Sequence, residues 1–334
     1  MSKMNIAIIG ATGTAYKRTI PALKNSKVCS VSAIQGRNVE KLKKIQSEFD
    51  IPNIHLDVDE MLSSASYDLI FIATPPFMHY TNIQSSVKTK KPIICEKPIA
   101  RNYEEGLKIS NLLNGYGDES FAVAHHLRHQ YAIVDVKNYV SRGLIGKILG
   151  VYIQWGFEMN LTAANARWKM DPGLGGKGTF NDNGIHIVDL ALYLFGRPNF
   201  VYGVGRNIRL TQTFDDESAI LVYENTLVEL HSSQSTKFPG NHLLIYGSDG
   251  HIQGFNAIGE RSISNLHIKS DSEDLIRSYP ETNLYGNEVE DFSIRLSGGK
   301  PISNGTNLRE ALDALLIIDK TRESTLSNMP LRLS

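Results

Sequence analysis

Between Asn5 and His125 the chain repeats one pattern: a short apolar run, rich in β-branched residues, then a turn, then a helical stretch. Asn5–Gly10, Cys29–Gln35, Asp68–Thr74, Pro92–Lys97 and Phe121–His125 read as strands. The stretches up to about Asn25, Val39–Phe49, Asp57–Ser64, Met78–Val87 and Tyr103–Leu113 read as helices. Strands joined through helices run parallel, and a parallel sheet is covered on both faces. The alternation therefore predicts an α/β fold with a doubly wound parallel sheet. In such sheets ligands bind beyond the carboxyl ends of the strands. The functional residues are expected there.

After His125 the rhythm changes. A helix is predicted over Tyr131–Arg142, and Gly143-Leu144-Ile145-Gly146 turns the chain into a long strand, Lys147–Phe157. A polar loop, Glu158–Lys177, leads to a helix over about Asn181–Phe195. Strands Phe200–Leu210, Ser218–Tyr223, Leu227–Gln234 and His242–Tyr246 follow, with Glu224-Asn225-Thr226 and Gly247-Ser248-Asp249-Gly250 as hairpin turns. Strand after strand with tight turns predicts a large, mainly antiparallel open sheet in an α+β domain. Residues 258–283 carry no readable period, and helices Glu288–Leu296 and Leu308–Arg322 close the chain. A length of 334 residues exceeds one ordinary core. The expected division is a dinucleotide-binding domain over 1–125 and a second domain over 126–334.

Charge narrows the partners. Thirty-five Lys and Arg balance 35 Asp and Glu, and no basic run stands out, so nucleic acid and anionic membrane surfaces are not expected partners. Cys29 and Cys95 fall within predicted buried strands and read as small core residues of a reducing compartment. No apolar run approaches a membrane span, and the N-terminus turns strand-like within a few residues. The expected location is cytoplasmic.

Four strand or helix ends carry the chemistry. After the first strand, Gly10 suits a tight turn, and Thr12, Gly13 and Thr14 lead to Ala15, the small residue where helix meets strand. Thr12 stands where a glycine usually admits a pyrophosphate. After the second strand, Gly36 stands in the place of the acid that holds the ribose of NAD. Arg37 reads either as a ligand of a 2′-phosphate or as a solvated turn residue. Cys95-Glu96-Lys97-Pro98 places an amine at the end of an apolar strand, where it either faces a cleft or lies on a surface loop. Asp182 and His186 lie four apart on a predicted helix, so they share a face. A histidine titrates near neutrality and moves protons, whereas the same spacing also describes a solvated helix face.

In order along the chain, Ala73-Thr74-Pro75-Pro76 with His79, Glu96-Lys97-Pro98, Gly143-Leu144-Ile145-Gly146-Lys147, Trp168 with Pro172, and Gly175-Gly176-Lys177-Gly178 through Asp182 to His186 follow a Rossmann opening. This set resembles the Gfo/Idh/MocA oxidoreductases, the family of glucose–fructose oxidoreductase and inositol dehydrogenase. The resemblance implies hydride transfer between NAD(P) and a hydroxyl or keto carbon of a sugar, sugar derivative or cyclitol. It implies that Lys97 bonds the reacting oxygen, that His186 is the principal acid/base and that Asp182 holds a neighbouring hydroxyl. Glu96 would orient the lysine, and Thr74, Pro75 and His79 would lie along the cofactor. Trp168, Arg167 and Asn160 are candidates to contact a sugar, and Lys177 to reach substrate or a neighbouring subunit. The open sheet would pair subunits into a homodimer or homotetramer. No metal is expected. With Gly36 for the acid, NADP(H) is expected over NAD(H). Two other readings share the fold: a regulator that senses nucleotide or sugar without turnover, and an NAD-dependent glycoside hydrolase.

Overall fold

A computed structural model describes residues 3–163, 168–169, 171–175, 178–209, 212–237, 240–259 and 264–333. The chain divides into two compact units. The first comprises Met1–Ala100, Glu104–His129 and Asn283–Ala311, and the second Arg101–Tyr103, Gln130–Thr282 and Leu312–Ser334.

The first unit opens with β1 (Met4–Ile9), α1 (Thr14–Lys17), α2 (Thr19–Leu23), β2 (Cys29–Gln35), α3 (Val39–Phe49) and β3 (Asn53–His55). It continues with α4 (Val58–Ser64), β4 (Leu69–Ile72), α5 (His79–Ser86), β5 (Ile93–Glu96), α6 (Tyr103–Leu112) and β6 (Phe121–Ala124). Its six strands, all parallel, lie in the order β3-β2-β1-β4-β5-β6, the dinucleotide-binding arrangement. Leu69, Ile70, Phe71 and Ile72 are all fully buried, as a strand covered on both faces requires. Local chemistry starts the helices: the Asn38 side chain accepts from Lys41 N and the Asp57 side chain from Glu60 N, both at 2.9 Å.

Two local expectations are corrected. The helix read through to Asn25 is two short ones, broken at Arg18 (φ −129°, ψ −72°). Pro21 explains the break, because it has no N–H for the Lys17 carbonyl and its ring would strike it. β3 went unread because three residues, two of them polar, show no period; its register with Ala33, Ile34 and Gln35 makes it a strand.

The second unit holds α7 (Tyr131–Ser141), β7 (Ile148–Gly156), a π turn at Phe180–Gly184, α8 (Ile185–Phe195), β8 (Phe200–Arg206), β9 (Asp216–Val222) and β10 (Leu227–Ser233). β11 (His242–Gly247), β12 (Gly250–Phe255), β13 (Ser264–Ser270) and β14 (Asp274–Tyr279) follow. The stretch 258–283, which shows no clear period, thus contains a hairpin, β13–β14. Leu210, to which β8 was expected to reach, lies outside the described residues.

From Asn283 the chain returns to the first unit, although its sequence position had placed it in the second domain. There α9 (Leu284–Leu296) buries Val289 and Phe292 in the core that surrounds β1 and β2. Ser293 lies 3.1 Å from the Cys29 sulfur. Burial pushes the Cys29 thiol up to about 11, which suits an inert core cysteine. The chain ends with α10 (Leu308–Ser327) and β15 (Leu331–Arg332).

The sheet of the second unit runs β14-β13-β12-β11-β7-β10-β9-β8-β15. β7 and β10 are parallel, and every other neighbouring pair is antiparallel. Here burial alternates: Ala219, Leu221, Val228 and Leu230 are buried, while Ile220 and Leu227 are exposed. The apolar helix α8 packs on β7 and β10. Among the described residues no helix is long and apolar enough to cross a membrane.

Candidate active site

The first unit supplies a ligand edge made largely of backbone. Gly10 ends β1 at φ +80°, a conformation that side chains disfavour. A Cβ there would lie 2.7 Å from the Thr74 methyl and 3.0 Å from the Thr74 nitrogen, so the ends of β1 and β4 can close only around glycine. Gln35 clamps the same turn. Its side-chain oxygen accepts from Gly10 N at 3.2 Å and its amide donates to the Leu56 carbonyl at 3.0 Å. Next to it, a Cβ on Gly13 would meet nothing within 4 Å, so the loop is open where a pyrophosphate would approach. Ala15 is fully buried against the sheet. An open, glycine-lined turn leading from a parallel strand to a helix fits a dinucleotide, and Gly10, Thr12, Gly13, Thr14 and Ala15 are the residues that would hold its phosphates.

Thr74 and Pro75 lie past the end of β4, and α5 holds them. Asn82 donates to the Thr74 hydroxyl at 2.9 Å. His79, expected along the cofactor, is fully buried, with its nitrogens 2.8 Å from the Thr74 carbonyl and 3.2 Å from the Ile99 carbonyl. Burial lowers its pKa against the raising effect of these carbonyls, and the ring braces the loop between them. Glu96 is buried and accepts from Lys97 N at 3.2 Å, and a cis peptide joins the half-buried Lys97 to Pro98. No sequence motif marks His126, whose pKa is held well below its ordinary value by burial and then by the nearby Lys97. Its ring stacks on Tyr285 at 4.6 Å. Those two residues lie 159 positions apart, and no motif links them.

Gly36 and Arg37 follow β2, with Arg37 exposed. A Cβ on Gly36 would come within 2.9 Å of the Thr12 methyl and 3.3 Å of Leu42, so the volume beside the glycine is already filled.

The second unit gathers its polar groups from distant segments. Asp182 sits in the π turn and His186 in α8, so the spacing argument for a regular α-helix does not carry across that junction. Gly184 makes the turn possible, since a Cβ there would fall 1.8 Å from the Phe180 ring. The entrance is pinned by Thr179 N donating to the Phe214 carbonyl at 2.7 Å and by Phe180 N donating to Glu217 at 2.9 Å. Burial lifts the Glu217 carboxyl to about 8.

Asp182 and His186 are both buried. The Asp182 oxygens accept from Lys169 Nζ at 2.9 and 2.7 Å, and one also accepts from Gln234 at 2.7 Å. His186 stacks on Trp155 with centroids 4.6 Å apart and 22° between the planes. Asn183 donates to the Trp155 carbonyl at 3.3 Å, so the strand beneath the histidine is tied to the turn that carries the aspartate. Lys169 also lies 5.6 Å from the Trp168 ring centroid. Gln234 and Trp155 belong to no sequence motif, whereas Lys169 stands beside the motif tryptophan, Trp168. The exposed Asn160 side-chain oxygen accepts from Thr162 N at 3.0 Å and from the Thr162 hydroxyl at 2.8 Å. Arg167, Gly176 and Lys177 lie outside the described residues.

A six-stranded parallel Rossmann sheet with an open glycine turn defines a dinucleotide-binding protein. Two family matches specify it further: "Oxidoreductase family, NAD-binding Rossmann fold" covers residues 4–125, and "GFO/IDH/MocA C-terminal domain" covers residues 133–253. The chain belongs to the Gfo/Idh/MocA oxidoreductases. It is 24% identical over 298 residues to scyllo-inositol 2-dehydrogenase (NADP(+)) of Bacillus subtilis, covering 88% of this chain and 77% of that protein. It is 28% identical over 222 residues to levoglucosan dehydrogenase of Pseudarthrobacter phenanthrenivorans, a match spanning 61% of this chain and 54% of that protein. The fold matches an aldose-aldose oxidoreductase from Caulobacter crescentus with a TM-score of 0.87 at 19% identity, covering 99% of this chain and 100% of the other.

Proposed function

We propose that this oxidoreductase moves a hydride between NADP(H) and a carbinol or keto carbon of a sugar, sugar derivative or cyclitol. The observation that carries the reading is the edge of the first unit, where Gly10, Gly13, the braced Thr74 and Lys97 all follow strand ends of one parallel sheet. The relatives' named substrates, an inositol and an anhydrosugar, support the substrate class. NADP(H) over NAD(H) rests on the missing acid at Gly36 and on the exposed Arg37. When bound, the nicotinamide supplies the hydride acceptor or donor.

The chain's own residues do the rest. Lys97 holds the reacting oxygen and stabilises the charge that develops on it. His186, its plane set by Trp155, takes or returns the hydroxyl proton. Asp182 accepts from a neighbouring hydroxyl, and Trp168 offers an apolar face to the substrate. Lys169 balances the charge of the buried Asp182 carboxylate, and Gln234 aims it. Subunits associate through the uncovered sheet face, where Val204, Ile220, Leu227, Tyr246 and Phe255 are 37–55% exposed.

The test is a panel of sugars, nucleotide sugars and cyclitols followed at the nicotinamide absorbance with both cofactors. His186→Ala should flatten the pH dependence of turnover near neutrality. Absence of turnover with every carbohydrate, alongside tight cofactor binding, would favour the sensing regulator. A redox-neutral reading has one supporting observation: a relative 24% identical over 261 residues is named 2,7-anhydro-N-acetylneuraminate hydratase. Product formed without net absorbance change would select it.

A further inference from the structure

The two departures from the dinucleotide fingerprint, Thr12 for a glycine and Gly36 for an acid, sit 24 positions apart in sequence and meet in the fold. A Cβ built on Gly36 would lie 2.9 Å from the Thr12 methyl and 3.6 Å from the Thr12 hydroxyl oxygen. The distance to the methyl is shorter than real Cβ contacts allow, and Leu42 closes the other side at 3.3 Å. Gly36 is not among the residues with positive φ, so its backbone does not demand glycine. Space does.

We propose that Thr12 and Gly36 are one specificity determinant: the Thr12 side chain fills the volume of a side chain at 36 and presents a hydroxyl, in place of a carboxylate, to the adenosine ribose. The physical consequence is selective. A carboxylate beyond β2 accepts both ribose hydroxyls of NAD and repels a 2′-phosphate. A neutral hydroxyl from the glycine loop repels nothing and can donate to a phosphate oxygen, with Arg37 exposed beside it. Because the threonine methyl lies where the Cβ would go, an acid at 36 requires the Thr12 side chain to rotate or shift. The inference rests on reading the end of β2 as the ribose corner, and its tests separate the two claims.

The first test uses the full chain without cofactor. Gly36→Ala should lower the melting temperature, and Thr12→Ser/Gly36→Ala, which removes the offending methyl, should recover most of that loss. Losses that simply add would overturn the interlock whatever the cofactor preference. The second test measures NADPH and NADH dissociation constants by fluorescence. Thr12→Val, which keeps the bulk and removes the hydroxyl, should weaken NADPH by roughly tenfold, the size of one hydrogen bond to a charged group, and NADH much less. Equal loss for both cofactors would overturn the hydroxyl's role. Gly36→Asp alone should weaken both cofactors, whereas Thr12→Gly/Gly36→Asp should bind NADH more tightly than NADPH. A single Gly36→Asp variant that already gains NADH would again defeat the interlock. A wild-type chain that prefers NADH would overturn the cofactor reading, while the melting arm would still decide the steric one.

Discussion

The two sheets place functional groups in opposite ways. In the first unit, β4 is buried along its whole length, and what it offers is its end: a turn, a carbonyl and the first residues of a loop. Backbone geometry builds that edge, with Gly10 and Gly13 admitting close approach and Gln35, Asn82 and His79 bracing it from behind. In the second unit, strands are buried on one face only, and the polar cluster consists of side chains drawn from 169, 182 and 234. The backbone turn over the phosphates tolerates loss of the strand-end lysine, which is not part of it. A cluster made of side chains does not tolerate loss of a member.

Lys97→Ala should show the largest effect and the cleanest separation. Turnover should fall by roughly a hundredfold or more, the usual scale for an acid/base or charge-stabilising group. Cofactor dissociation constants should stay near the wild-type values, because the turn that holds the dinucleotide is backbone. Loss of cofactor binding in the same variant would break the comparison.

Glu217 tests the second unit through pH. Its folded pKa, about 8, is raised from the ordinary 4.5 by burial. Between those values the folded state binds the extra proton, so its contribution is intact below about pH 4.5 and is lost as pH rises through about 8. Glu217→Gln keeps an acceptor for Phe180 N and removes the titration. Its stability should therefore decline less than wild type over that window, by on the order of 1–4 kcal/mol at pH 8, measured by urea denaturation. Parallel pH profiles for the two proteins would refute it.

Lys169→Met leaves the Asp182 carboxylate without its cation. Stability should fall by about 2 kcal/mol, less than for a fully buried pair because the lysine keeps some exposure. The KM for substrate should rise more than kcat falls, since the aspartate positions and does not react. A variant as stable as wild type would place the pair among ordinary surface bridges.

Arg37→Ala is the smallest of the four. NADPH should weaken by about tenfold, near 1.4 kcal/mol, with NADH almost unchanged. Equal weakening of both would mean that the guanidinium stacks on adenine and does not read the phosphate.

Five of the six strands of the first unit were legible because each is a local pattern; β3, three residues without a period, is set only by its register with β2. β2 and α3 span the residues read for them, Cys29–Gln35 and Val39–Phe49. Caps such as Asn38 and Asp57 act within three residues. Lys97, Asp182 and His186 were legible only as a constellation. Their companions Lys169, Gln234, Trp155 and His126 had no such signal, because their proximity depends on how separate segments pack.

What the chain determined by itself was therefore the order of the longer strands and helices, the glycine turn after β1 and the strand-end lysine, all set by backbone sterics and hydrophobic period over a few residues. Tertiary structure decided the return of α9 to the first core, the hairpin within 258–283, the π turn under Asp182 and the meeting of Thr12 with Gly36. Each of these depends on contacts between residues far apart in sequence, whose volumes and hydrogen bonds exist only once the intervening chain has closed around them.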